Sequence, residues 1–580
     1  MNFVQQNNKN ILDTPALNNK SLASWLPVIL LMIIAAGTRL KSTWDVNYLL
    51  VGGDGPYYPL QVKTFLEHGR MALPDMPLLF MFEAFVAKML QCFTNWPQAD
   101  CIIMAVKLSD AFLPPLAAIP VFLMAKELNR RSDIKAGIIN YIMVAFSILN
   151  NTTVLSFSSG LQKNAVAVVL VFFYLYFIIR IFSYSQKRDY YLAMLTLLIC
   201  ALTHFGSFSV MLFISVAIVF FRLLYRQWHF RRFKTIALAI AVLIVLFSII
   251  GIFDLNRFQR LVNIPLKVFE YPVFLLILKG YDVSNYINPL NLVLLTPLVL
   301  LAAVLIVLNR KILTTSHKIL AWSMVVVALF LISPFIGLDW ANRFYMMAYI
   351  PVVVLYLVLF NDLSIKWIKI LPLFVFSLLV ILSVFGFQPS MQAITPQAYE
   401  EFSTIKNSVV FSNSDVIIGR QDLRLLGSWE FGTRSAADYL VTKEDFKKYN
   451  KVYVIRQLKG SNFSPGRFRG DAEIPGNSIR IYHGEHFELY QINNSNSWID
   501  GKGQPPKARG IIFAIGKNRV DLRGFKNNNI KTVEISENTL LHLQSGKVLN
   551  KGMAVEIDGS YKPFSLNIVA DEVTEITLQP

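Results

Sequence analysis

From residue 24 to residue 387 the chain alternates long apolar runs with short charged breaks. Beyond 388 the pattern shortens to one of period two. The apolar runs are rich in Leu, Ile, Val and Phe and about 18–20 residues long, enough for a helix to cross a hydrocarbon layer of about 30 Å. They predict about eleven spans, near 24–40, 108–126, 136–153, 164–181, 190–205, 207–225, 235–252, 288–308, 319–336, 344–361 and 370–387. The first run, Trp25 to Gly37, is read as a retained span because no cleavage site follows it.

The breaks differ in charge. One set is short and basic, with Lys126, Arg130-Arg131, Lys187-Arg188, Arg231-Arg232, Arg310-Lys311 and Lys366…Lys369. The positive-inside rule puts this set in the cytoplasm, so residues 1–23 lie inside and the tail lies outside. Two outer loops, 41–107 and 254–287, are unusually long. The first carries Met76–Leu90, an apolar stretch with charges at Glu83 and Lys88, which reads as a helix lying on the membrane surface.

In the tail, Lys451–Leu458 and Ser478–Gln491 largely alternate as strands, and Ser435–Tyr449 reads as a helix. The expected fold is thus a mainly α polytopic membrane protein with an extracytoplasmic end. That end comprises an α/β domain over 388–492, a linker over 493–509 and a β-sandwich-like domain over 510–580.

Composition sharpens this picture. With 54% hydrophobic and 16% charged residues, the chain does not match a soluble enzyme. Its net charge of +18 sits mostly before residue 388, where 31 basic and 16 acidic residues leave +15. Those charges belong to membrane-flanking loops, so membrane lipid is an expected partner and nucleic acid is not. Three cysteines, Cys92, Cys101 and Cys200, make no disulfide framework.

Apolar spans say little about chemistry, so polar residues near the outer face carry it. Just after the first span comes Gly52-Gly-Asp54-Gly-Pro-Tyr57-Tyr58. Gly-Asp-Gly-Pro is turn chemistry, and an Asp there commonly supports its own backbone. An aspartate beside two tyrosines at a membrane surface also suits a general base. Arg343, after Asp339-Trp340 at an outer helix end, reads as a snorkelling cation or as a partner for a lipid phosphate. His204 fits a helix-packing role or a polar ligand role. His483 and His486 flank a hairpin turn.

Asp54-Gly-Pro-Tyr57-Tyr58 resembles the aspartate motif after the first span in the catalytic subunit of oligosaccharyltransferase, and more broadly in the GT-C glycosyltransferases. Arg39 at the end of the first span, Pro114–Arg131, Leu202-Thr-His204-Phe-Gly206 and Asn342-Arg343-Phe344 extend the likeness over roughly residues 25–360. The resemblance implies an inner-membrane, multi-pass enzyme that takes a sugar from a polyprenyl-phosphate-linked donor and gives it to a protein or glycan acceptor outside. Asp54 would be its catalytic residue, with Tyr57, Tyr58, Arg343, His204 and Arg39 binding substrate.

The chain departs from the family in its second outer loop, where acidic metal ligands are expected. Here it has Ser158-Ser-Gly160-Leu-Gln-Lys163-Asn164. Asp54 with Asp45 or Asp110 makes a poor cage for a hard divalent ion, so no metal or other cofactor is expected. Ser428-Trp429-Glu430-Phe431-Gly432 only faintly echoes the family's acceptor-binding Trp-Trp-Asp-Tyr-Gly. Two rival readings are a transporter or lipid flippase and a non-catalytic member of the same fold.

Overall fold

The computed structural model describes residues 23–52, 54–129, 137–150, 153, 160–225, 268–269, 272–274, 289–362, 366–385, 392–435, 449–460, 478–492, 507–516, 518–524, 530–543, 548–561 and 568–575. The expected span at 235–252, nearly all of the loop 254–287, the helix over Ser435–Tyr449 and most of the linker lie outside the described residues.

The membrane part begins with α1 (Leu26–Trp44), whose Pro27 presets the first helical turn. Then come α2 (Tyr57–His68), α3 (Leu78–Phe93), α4 (Gln98–Phe112) and α5 (Ala118–Asn129). α6 (Gly137–Leu149), α7 (Gln162–Tyr184), α8 (Lys187–Thr203) and α9 (Phe205–Leu224) follow. α10 (Pro289–Leu308), α11 (Thr315–Leu331), α12 (Leu338–Met347), α13 (Tyr349–Asp362) and α14 (Lys366–Phe385) complete it.

Among the described residues, five helical segments are long and apolar enough to cross a membrane. They are Leu26–Trp44, Gln98–Asn129, Gln162–Tyr184, Phe205–Leu224 and Arg343–Asn361. Four shorter apolar helices accompany them: Gly137–Leu149, Leu294–Leu308, Thr315–Leu331 and Lys369–Phe385. Arg343–Asn361 is 94% buried and so occupies the centre of the bundle. α9, α10 and α14 instead expose Val216, Phe220, Val304, Leu308, Phe374 and Phe385, the apolar rim expected of lipid-facing helices.

Two sequence expectations change. The span expected at 108–126 is part of a helical run from Gln98 to Asn129, continuous through a 3-10 turn at Pro114–Ala117. Lys107 reads as the end of the loop and Asp110 as a charge inside the span, yet both are buried and partnered. Lys107 Nζ donates to the Trp44 carbonyl at 3.0 Å, and Asp110 accepts from Arg39. The helix α3 does form where the amphipathic stretch lies, and its two charges part, Lys88 exposed and Glu83 buried. Glu83 points inward with Leu79, Phe80, Ala84 and Ala87, while Met81, Phe82, Phe85, Met89 and Phe93 are exposed.

The tail opens with α15 (Pro396–Ser408), capped by Thr395, whose side chain accepts from the Ala398 amide. A five-stranded sheet follows in the order β2-β1-β3-β5-β4: β1 (Val416–Ile418), β2 (Arg434–Ser435), β3 (Val452–Gln457), β4 (Ser478–His483) and β5 (Phe487–Ile492). Here α16 (Gln421–Phe431) links β1 to its parallel neighbour β2, while β3, β5 and β4 are antiparallel. The last region is one sheet rather than the expected two-sheet sandwich. It comprises β6 (Lys507–Ile515), β7 (Arg519–Gly524), β8 (Ile530–Glu534), β9 (Leu540–His542), β10 (Ala554–Tyr561) and β11 (Ile568–Glu575). β10 pairs with both β6 and β11, so the sheet closes on itself around Ile512, Val520, Val533, Val555 and Val573. Alternating strands look the same in a sandwich and a closed sheet, so the pattern alone did not separate them.

The first outer loop and the α/β domain are not separate layers. Tyr48, Leu50, Tyr58, Phe80 and Val106 share one core with Ile394, Phe402, Ile417, Leu423, Tyr453 and Phe487. The Ala393 amide donates to the Leu50 carbonyl at 2.6 Å, and Val51 bridges to Gln392. The α/β domain thus sits directly on the segment that carries Asp54.

Candidate functional site

The Asp54 segment is a tight turn that starts α2. The Tyr57 amide donates to the Asp54 carbonyl at 3.0 Å, and Gly52 adopts a left-handed φ of 59°. A Cβ at Gly55 would lie 2.3 Å from the Val51 carbonyl oxygen, so only glycine fits there. The turn reading is therefore sound for the backbone. The side chain does something else: among the described residues the Asp54 carboxylate accepts from Gln421 Nε2, at the start of α16.

Three elements converge on this carboxylate. From the loop before α7 comes Gly160, where a Cβ would stand 3.8 Å from Asp54 Cβ. Tyr58 Oη donates to the Gly160 carbonyl at 3.4 Å and accepts from the Lys163 amide at 3.3 Å. The turn after α2 brings Asp75, which forms an ion pair with Lys163 and accepts from Tyr57 Oη. Gln61 Nε2 donates to Tyr57 Oη at 3.1 Å, and the Lys163 ammonium lies 5.0 Å from the Tyr57 ring centroid. From α12, Arg343 lies within electrostatic reach of Asp54. Its guanidinium is exposed, 5.8 Å from the Trp340 ring centroid, and among the described residues it has no carboxylate partner.

Charge follows from this placement. Burial raises the pKa of Asp54, while Lys163, Arg343 and the Gln421 hydrogen bond oppose the rise and Asp75 adds to it. Burial also raises Asp75, but Lys163 and the hydrogen bonds from Lys163, Tyr57 and the Met76 amide win, and its pKa falls. Burial and the neighbouring Asp75 push the Tyr57 phenol far up, so it stays a donor. Glu83, fully buried on α3, is pushed well up by burial and then by Asp110. Its Oε1 accepts from Gln162 Nε2 at 2.6 Å, and Oε2 has no hydrogen-bond partner among the described residues.

No family model matches the chain, and no curated protein does. The site must therefore be read from its geometry.

Of the residues singled out by sequence, Asp54, Tyr57, Tyr58 and Arg343 come together. His204 is near them, with Lys163, Arg343 and Asp75 in electrostatic reach. Its ring, however, caps α9, accepting from the Ser207 amide at 3.1 Å. Arg39 is elsewhere, fully buried against Asp110 and the Thr153 carbonyl. Trp429 is buried too: Lys63 Nζ donates to its carbonyl at 2.9 Å and lies 4.9 Å from its ring centroid. Gly432 ends α16 with a left-handed φ of 69°, and Glu430 accepts from Tyr399 at 2.6 Å. The faint acceptor-motif echo is thus a helix end anchored to its neighbours. His483 pairs with Glu488 and His486 with Glu401, so the two histidines serve different contacts. The three cysteines are free.

The donor set does not fit a divalent metal. Asp75 is neutralised by an ammonium, and among the described residues no three His, Cys, Asp or Glu side chains converge.

Proposed function

We propose that the chain is an integral membrane glycosyltransferase of GT-C type, similar in plan to the oligosaccharyltransferase catalytic subunit. It moves a sugar or glycan from a polyprenyl-phosphate-linked donor to an acceptor outside the inner membrane. About eleven spans, a cytoplasmic N-terminus and an extracytoplasmic tail complete this reading. The observation that carries it is the partly buried Asp54 carboxyl, set between Lys163, Arg343 and the tail residue Gln421. A carboxylate with a raised pKa suits a general base.

In the proposed reaction Asp54 takes the proton from the acceptor's nucleophilic O–H or N–H. The nucleophile bonds to the anomeric carbon as the carbon–oxygen bond to phosphate breaks, and the electron pair leaves on the polyprenyl phosphate. Arg343 stabilises that charge through hydrogen bonds to phosphate oxygens. In this reading Tyr57 and Tyr58 belong to the substrate-binding set.

The test is turnover of polyprenyl-phosphate-linked sugars by purified protein, read as released polyprenyl phosphate. Asp54→Asn keeps the side chain's shape and is expected to lose about 10²–10⁴-fold in rate. Wild-type protein that binds the donors without turnover would favour a flippase or a non-catalytic fold member. An Asp54→Asn protein as active as wild type would reduce Asp54 to a turn residue.

A further inference from the structure

Lys163 is a cation that the chain takes trouble to hold. It enters at the first turn of α7, where Gln162 is fixed by Glu83 at 2.6 Å and by the Val106 carbonyl at 3.2 Å. Its amide donates to Tyr58 Oη and its ammonium contacts Asp75 and Tyr57 Oη, the latter at 3.4 Å. Only 14% of its side chain is exposed. The neighbouring Gly160 brings this same loop against Asp54. An ammonium clamped in this way delivers a fixed positive charge, part of which Asp75 cancels.

We propose that Lys163 and Asp75 form a positioning ion pair, which sets how much positive charge reaches the Asp54 carboxyl and so keeps it ready to accept a proton. Lys163 supplies the charge, Asp75 limits it, and the first turn of α7 holds the distance. The groups facing Asp54 are Lys163 from α7, Arg343 from α12, Asp75 from the turn before α3, Tyr57 and Tyr58 from α2 and Gln421 from α16. Among them Lys163 opposes the effect of burial most strongly. The two members of the pair act with opposite sign. Removing Lys163 leaves Asp54 buried with less positive charge, so it holds its proton to higher pH. Removing the Asp75 charge deletes an anion and frees Lys163, so Asp54 releases its proton at lower pH.

The inference concerns the base named in the proposed function, but its test uses no donor and no turnover, so the two fail separately. The probe is dicyclohexylcarbodiimide, which reacts with protonated buried carboxyls. Labelling of the Asp54 peptide is followed by mass spectrometry across pH on the full-length protein, with Asp54→Asn as the blank. Lys163→Gln is expected to keep about tenfold or more labelling at pH values where wild type has lost it. Asp75→Asn is expected to lose labelling at lower pH than wild type, and Lys163→Arg to stay near wild type. If Asp75→Asn does not fold, the contrast between Lys163→Gln and Lys163→Arg still decides. Unchanged labelling in Lys163→Gln, or shifts of the same sign in Lys163→Gln and Asp75→Asn, would overturn the proposal.

Discussion

The pair formed by Arg39 and Asp110 decides whether the arginine ending the first span serves substrate or structure. Both side chains are 1% exposed, with Nη2 to Oδ1 at 2.7 Å. Arg39 Nε also donates to the Asp110 carbonyl at 2.7 Å, and Nη1 donates to the Thr153 carbonyl. Replacing Asp110 by Leu takes the Asp110 carboxylate away from a buried guanidinium and is expected to destabilise by about 3–5 kcal/mol. Replacing Arg39 by Met takes a donor from the Asp110 carboxylate and from two carbonyls, with a loss of similar size. The double variant removes both charges, and among the described residues two carbonyls lose a donor, at about 1–3 kcal/mol each. It should therefore be more stable than the sum of the single losses predicts, with a coupling of about 2–4 kcal/mol. Equilibrium unfolding in mixed micelles measures all four proteins in one cycle. A coupling below about 0.5 kcal/mol would refute the structural role. So would an Arg39→Met protein of native stability that has lost donor binding.

Two further predictions follow from buried charge and from sidedness. Burial raises the Glu83 carboxyl above its unfolded value, so its contribution to stability is complete below the unfolded pKa and is lost as pH rises through the folded one. Above about pH 5, wild-type stability should thus fall by about 1.4 kcal/mol per pH unit more than that of Glu83→Gln, until the folded pKa is passed; parallel pH–stability curves would contradict this. For topology, Ser408 lies exposed at the end of α15. A Ser408→Cys variant lacking Cys92 should react with a membrane-impermeant maleimide in intact cells, and reaction only after lysis would reverse the orientation.

What the sequence made legible was local. The apolar runs located most helices, and the Gly-Asp-Gly-Pro turn with its two tyrosines located the start of α2, because both signals lie within a few residues. Asp75 escaped notice because its partner Lys163 is 88 residues away, and Leu-Pro-Asp-Met carries no mark of pairing. Its one available signal was being the sole acid between α2 and α3. Gln421 is 367 residues from Asp54, and nothing local distinguishes it from a surface glutamine. Lys163 was visible, but as a gap in an expected acidic set rather than as a held cation. The burial of Glu83 was not legible either, because its partner Gln162 is 79 residues away and a charge in an apolar helix normally turns outward.

The core shared by the first outer loop and the tail has a consequence for how the molecule is made. During synthesis α2, α3 and α4 emerge long before the segment that covers them, which begins at Pro396. Until α15, α16 and β3 are complete, the inward faces of Tyr48, Tyr58 and Phe80 have no lid. The Asp54 turn also lacks Gln421 in that interval, so the site is complete only once the chain has been made as far as α16. Chains arrested at residue 390 are then expected to be degraded rather than to accumulate as a folded half, because the core face left uncovered is apolar. Completion of the Asp54 cluster thus depends on the chain having been made as far as α16.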